Sequence, residues 1–162
     1  MLIISENITI KANVNKIWTF LIDFSISLNY NRFHTSLELP SNYSVGKMKK
    51  FNINHNFGFG NYNMVAEITE CTPPNHLCIS EYCKDEKEKG FPHSIEFHIE
   101  AHGDKSKIFY TVSGTYGGRV QDMSFTPIMK GVMIEELHKI KNAIESSEKI
   151  SKPITPETVK PV

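Results

Sequence analysis

Between Val45 and Tyr116 the chain is cut by turn chemistry too often to hold helices. The breaks fall at residues 56–61, which contain Gly58 and Gly60, at Thr72-Pro73-Pro74-Asn75, at the charged run 84–90, and at His102-Gly103-Asp104. Gly, Pro and Asn supply the backbone angles that tight turns need, so each cluster ends one extended segment and starts another. Five strands are predicted between them, near 45–55, 62–71, 77–83, 91–101 and 106–116. Consecutive strands joined by short loops pair antiparallel, so this stretch reads as a meander with one face to cover.

The flanks supply the cover. Ile4, Glu6, Ile8, Ile10 and Ala12 alternate with their neighbours, the period of an opening strand. Asn13 is a good N-cap, and Val14, Ile17, Trp18, Leu21 and Ile22 then follow the spacing of one apolar helix face. A second helical piece is expected through Phe24, Leu28 and Phe33, with Pro40 holding the chain extended after it. Near the end, Met129, Met133, Leu137, Ile140 and Ile144 recur every three to four residues. This predicts one long helix that starts with Thr126 as N-cap and Pro127 in first place, and runs to about residue 146. Residues 148–162, with Pro153, Pro156 and Pro161, show neither period and read as an extended or disordered tail after a single domain of residues 1–147.

Composition narrows the function classes. Eighteen basic and eighteen acidic residues cancel, so no overall field draws the molecule to nucleic acid or anionic lipid. The opening MLIISENITI has neither a basic n-region nor a long apolar core, and no segment has the ~18 apolar residues of a membrane span, so a cytoplasmic protein without membrane insertion is expected. Cys71, Cys78 and Cys83 form no CxxC pair and read as reduced thiols.

The opening ISENITIKANVNKIWTFLID and the closing MKGVMIEELHKIKNAIES resemble the first strand with its helix, and the terminal helix, of the SRPBCC superfamily. This superfamily comprises the START-like lipid-binding proteins, the polyketide cyclases and the birch pollen allergen. The resemblance spans residues 3 to 146 and implies an α+β helix-grip fold: a curved antiparallel sheet wrapped around a long C-terminal helix, with two short helices after the first strand. It further implies an internal cavity for a hydrophobic or amphipathic small molecule, such as a lipid, an isoprenoid quinone or a polyketide-like compound.

Strand parity says which residues would line that cavity. Pairing across residues 84–90 sets Glu81 opposite His93, Ile79 opposite Ile95 and Leu77 opposite Phe97. The next hairpin sets Phe97 against Tyr110, Ile95 against Val112 and His93 against Gly114, and the preceding one sets Ile68 against Ile79 and Ala66 against Glu81. Small neighbours at Ala66 and Gly114 suggest a hollow beside Glu81 and His93. With Met129 and Met133 from the helix, these residues make up the expected ligand-binding wall. A carboxylate and an imidazole on an apolar face are costly to bury unless each satisfies the other or meets a ligand. The pair therefore reads as a polar anchor, as the acid and base of a cyclase or dehydratase-like enzyme, or as a self-satisfied structural contact.

Other chemistry is not indicated. The GxG at Gly58 and Gly60 lacks the strand-to-helix setting of a phosphate loop and reads as a turn. His98 and His102 on a strand lie some 13 Å apart at ~3.3 Å per residue, too far to share an ion. No metal, no cofactor and no nucleophile motif is expected. The partners expected are a hydrophobic small molecule and, as an alternative, a protein bound through the tail at 148–162. Mild acid would charge the seven histidines.

Overall fold

The computed structural model describes residues 1–45, 49–87 and 89–150, with backbone alone for 147–150; the proposed tail lies almost wholly outside the described residues. The elements in chain order are β1 (Leu2–Ile10), α1 (Val14–Ile22), α2 (Phe24–Ser27) running into a 3-10 turn (Leu28–Tyr30), and β2 (His34–Glu38). Then come β3 (Lys50–Asn56), β4 (Asn61–Thr72), β5 (His76–Cys83), β6 (His93–His102), β7 (Lys105–Gly114) and α3 (Arg119–Ile150). The strands form one seven-stranded antiparallel sheet in the order β1-β7-β6-β5-β4-β3-β2. No described helix is long and apolar enough to cross a membrane.

The meander forms in the expected register. Glu81 faces His93, Ile79 faces Ile95 and Leu77 faces Phe97, while His93 faces Gly114 and Phe97 faces Tyr110. Ala66 faces Glu81 and Ile68 faces Ile79, just before a bulge between Ile68 and Glu70. The alternation that sets this register also sets the burial: along β6, His93, Ile95, Phe97 and Ile99 are buried while Glu96, His98 and Glu100 are exposed.

Asn13 caps α1 as expected, its side chain accepting from the Lys16 amide at 2.9 Å. Ile17, Trp18 and Leu21 turn inward. The long helix α3 is clasped to β1 by a Lys130–Glu6 ion pair of 3.1 Å and by Lys141, whose ammonium donates to the Thr9 carbonyl at 2.9 Å. Val132, Met133, Leu137, Ile140 and Ile144 pack from this helix into the core.

Three expectations about elements are corrected. The first concerns the start of α3, which begins at Arg119 rather than Pro127. Asp122 in its first turn accepts from the Tyr116 amide at 2.5 Å and from the Thr115 hydroxyl, which ties the incoming chain to the helix eight residues early. Thr126 is no cap, because its hydroxyl donates back to the Asp122 carbonyl at 2.7 Å. Pro127 accordingly lies inside the helix.

The second concerns β2, which was not predicted; His34–Glu38 is short and pairs only with β3, so its own pattern is too brief to show. The third concerns Gly114, which does not border a hollow. A Cβ there would stand 2.6 Å from both the His93 Cβ and the Pro92 carbonyl oxygen. The backbone of β6 already fills the space. Gly114→Ala is therefore expected to cost about 1–3 kcal/mol through overpacking. A urea midpoint equal to that of the wild type, at unchanged slope, would contradict this.

Candidate functional site

The residues expected to wall a cavity are brought together, but as packed core. Ala66, Ile79, Ile95, Phe97, Tyr110, Val112, Met129 and Met133 are all buried and belong to one continuous cluster. An interior void lined by Leu21, Phe24, Leu77, Ile79, Phe97 and Glu136, among others, measures about 10 Å³. That is the scale of one water molecule, not of a lipid. The expected interior hollow is filled in this conformation by the chain's own side chains. Ile68 is set apart by the adjoining bulge and lines a surface groove of about 410 Å³ with Trp18, Ile22 and Val45.

Glu81 and His93 do meet, with His93 Nε2 3.4 Å from Glu81 Oε2. They are not alone. His55 from β3 brings its Nε2 to 2.8 Å from the same carboxylate oxygen, and His34 at the start of β2 packs edge-on against His55 with ring centroids 4.5 Å apart. His34 and His55 are direct partners in the β2–β3 ladder, as Glu81 and His93 are in the β5–β6 ladder. Between them lies β4, where Ala66 opposite Glu81 presents only a methyl and lets the carboxylate lean across the strand. His55 and Glu81 are each about 1% exposed.

The imidazoles are oriented from behind. His34 Nδ1 lies 2.6 Å from the Leu28 carbonyl oxygen and His93 Nδ1 lies 2.7 Å from that of Phe91. A carbonyl only accepts, so in both rings Nδ1 carries the proton and Nε2 presents a lone pair. Burial is the leading cause holding His34 down to about 4 and His55 down to about 3, and it lowers His93 as well, although the Glu81 carboxylate opposes the shift for His34 and His93. The neutral rings converge on a carboxylate without aligned hydrogen bonds: His34 Nε2, both His55 nitrogens and both Glu81 oxygens have no partner despite the short His55–Glu81 approach.

A second buried carboxyl lies deeper. Glu136 Oε2, from α3, accepts from the Tyr110 hydroxyl at 3.0 Å and from the Asn31 amide at 2.9 Å. Burial raises this carboxyl to about 8 despite those two hydrogen bonds.

Aromatic rings close the site on its outer side. Phe91 stacks on His93 at 4.6 Å and Phe57 lies 5.0 Å from His55. Phe125 meets both, at 5.0 Å from Phe91 and 6.2 Å from Phe57. Phe125 and Tyr116 also form the floor of an open groove of about 330 Å³, which Phe59, Val120 and Ile128 rim. Phe59 and Val120 are about 70% exposed, at 71% and 73%. The positive-φ glycines 58 and 60 form the turn that carries Phe59 over this groove.

His34, His55 and Glu136 did not stand out in the sequence. His34 sits on the unpredicted β2, His55 is paired with Tyr62 on one side and with His34 on that unpredicted strand on the other, and Glu136 is one acidic position on a helix rich in them. His98 and His102 lie on the solvent side, as expected, each 3.4 Å from Glu100. Of the cysteines, Cys83 is buried while Cys71 and Cys78 are half-buried, and all are free thiols.

No family model matches the sequence, and no curated relative matches it either. Solved structures do match. A conserved protein from Geobacillus kaustophilus is 22% identical with a TM-score of 0.70, covering 90% of this chain and 97% of that one. A START superfamily protein from Mycobacterium smegmatis is 14% identical with a TM-score of 0.65, covering 90% and 98%. The Zhui aromatase/cyclase from a Streptomyces species is 8% identical with a TM-score of 0.73, covering 94% and 99%. With the strand order and the long closing helix, these likenesses establish that the chain has the helix-grip fold of the SRPBCC and START-like proteins.

Proposed function

We propose that the protein binds a hydrophobic or amphipathic small molecule, of the lipid, isoprenoid quinone or polyketide-like kind, in the groove floored by Phe125 and Tyr116. The observation that carries this reading is the groove itself. It is concave, lies within the ~300–1,000 Å³ range of small-molecule sites, and gathers exposed Phe59, Val120 and Ile128 around aromatic rings. Its floor is one ring away from the buried histidines and Glu81, so rotation of the Phe57, Phe91 and Phe125 layer would join apolar groove to polar end. The groove beside Trp18 fits less well, being lined also by Lys49, Thr69 and Glu70 and sharing no residue with that aromatic layer.

An acid and base role for Glu81 and His93 needs a substrate within hydrogen-bond reach. The rings of Phe57 and Phe91 cover these groups, so binding is favoured over turnover as the reading.

The test uses a fluorescent amphipathic probe, anilinonaphthalene sulfonate, titrated into the full chain. Phe59→Ser and Val120→Ser remove exposed apolar side chains worth about 1.5–3 kcal/mol each when covered. Each is expected to weaken binding about tenfold or more, while Ile22→Ser in the other groove leaves it unchanged. The reverse pattern would overturn the assignment.

A further inference from the structure

We infer that His34, His55, Glu81 and His93 form a binding site for one divalent first-row transition ion, with zinc the representative case. This goes beyond the small-molecule groove and does not depend on it. The donor atoms of His34, His55 and Glu81 already lie within 4.8 Å of one another, and His93 Nε2 adds a fourth at 3.4 Å from the carboxylate.

The first argument is the balance of protons and lone pairs. His34 Nε2 and His93 Nε2 are acceptors, because their Nδ1 protons are committed to the Leu28 and Phe91 carbonyls. They converge with His55 on carboxylate oxygens that only accept when ionised. A proton held between two of these groups would satisfy one contact and leave the remaining buried lone pairs unmatched. One cation takes all four donors together, and buried polar atoms without partners, like those of His34, His55 and Glu81, are costly otherwise.

The second argument is the outer layer. Histidines that hold metals commonly donate their other ring N–H to a backbone carbonyl, which fixes both tautomer and ring plane. His34 and His93 do so, and from different segments of the chain. The donor set, three imidazoles and one carboxylate, suits zinc and its neighbours rather than calcium or magnesium, which prefer oxygen. Donors about 2.0–2.1 Å from a tetrahedral ion are roughly 3.4 Å apart, so the His34, His55 and Glu81 donors, which lie within 4.8 Å of one another, close by up to roughly 1.4 Å on binding, and His93 turns in from its place beside the carboxylate. The rigid ladders place the Cα atoms, and side-chain rotation supplies that movement.

The alternatives elsewhere are weaker. His76 touches Glu70 and Glu96 at 3.1 and 2.8 Å, but on the exposed face and with each nitrogen already partnered.

The test begins with chain dialysed against chelator, to which zinc is added in one series and cobalt in another. One equivalent is expected to bind, and cobalt should give the visible absorption of a tetrahedral site. At zinc a hundredfold above its Kd the melting temperature should rise by roughly 5–10 °C. In ¹⁵N spectra of the imidazoles, the resonances of His34, His55 and His93 should shift while those of His76, His98 and His102 stay. His55→Gln and Glu81→Gln should each weaken zinc at least tenfold, whereas the His98→Gln, His102→Gln double variant should bind as wild type. The nuclear resonance experiment uses the unaltered chain, so it decides even if a buried variant fails to fold. No binding at 100 µM zinc, or shifts confined to His76, His98 and His102, would overturn the inference.

Discussion

Phe91→Ala is expected to lower stability by about 3–5 kcal/mol and to leave a protein that can be rescued by a small aromatic molecule. The Phe91 ring is fully buried and touches His93, Phe125, Tyr116 and Phe57 at centroid distances of 4.6, 5.0, 5.7 and 5.9 Å. Its neighbours belong to different elements of the fold, so no single segment can collapse to fill the space. The cost therefore includes most of the cavity contribution as well as the lost transfer free energy. The vacated volume would lie between the Phe125 floor of the groove and the buried histidines. Urea denaturation with and without indole is the measurement. Indole should raise the midpoint of the variant and leave that of the wild type in place. A loss below about 1 kcal/mol would mean that the aromatic layer is loosely packed and that the groove already reaches inward.

Glu136→Gln is expected to stabilise the protein at alkaline pH and to flatten its pH dependence. Burial raises the folded-state carboxyl from 4.5 to about 8. Between those values the folded chain holds a proton that the unfolded chain has released. The stabilisation linked to that proton is fully present below about 4.5 and is lost as pH rises through about 8. The full separation corresponds to at most roughly 4–5 kcal/mol, reached near pH 9. Glutamine keeps an oxygen for Tyr110 and Asn31 but does not titrate. Urea midpoints at pH 5, 7 and 9 check this, and parallel profiles for the two proteins would contradict it.

The register of the meander could be read from the chain because its information is local. The turns after Thr72 and His102 are short, and across the longer connection after Cys83 a side-chain period of two still favours the pairing in which Ile79, Ile95, Phe97 and Val112 all face inward. The Glu81–His93 neighbour pair follows from that register alone. The long closing helix was legible from its own period of three to four, although its first eight residues were missed. Their helicity is set by Asp122 reaching back to Tyr116 and Thr115, contacts that leave no apolar period.

Alternation along a strand tells which face a residue occupies, and the periodicity of the meander was enough to specify the register of its hairpins and the inward position of Glu81 and His93. It does not tell how much volume the facing layer will occupy, nor which side chains from distant strands will arrive at the same point. The tertiary structure alone decided that Phe57, Phe91 and Phe125 would close the interior, that the apolar opening would lie under Phe59, and that His34 and His55 would join Glu81 across β4. Those outcomes depend on side-chain volumes and lone-pair directions summed over segments far apart in the chain, and no local pattern carries such a sum.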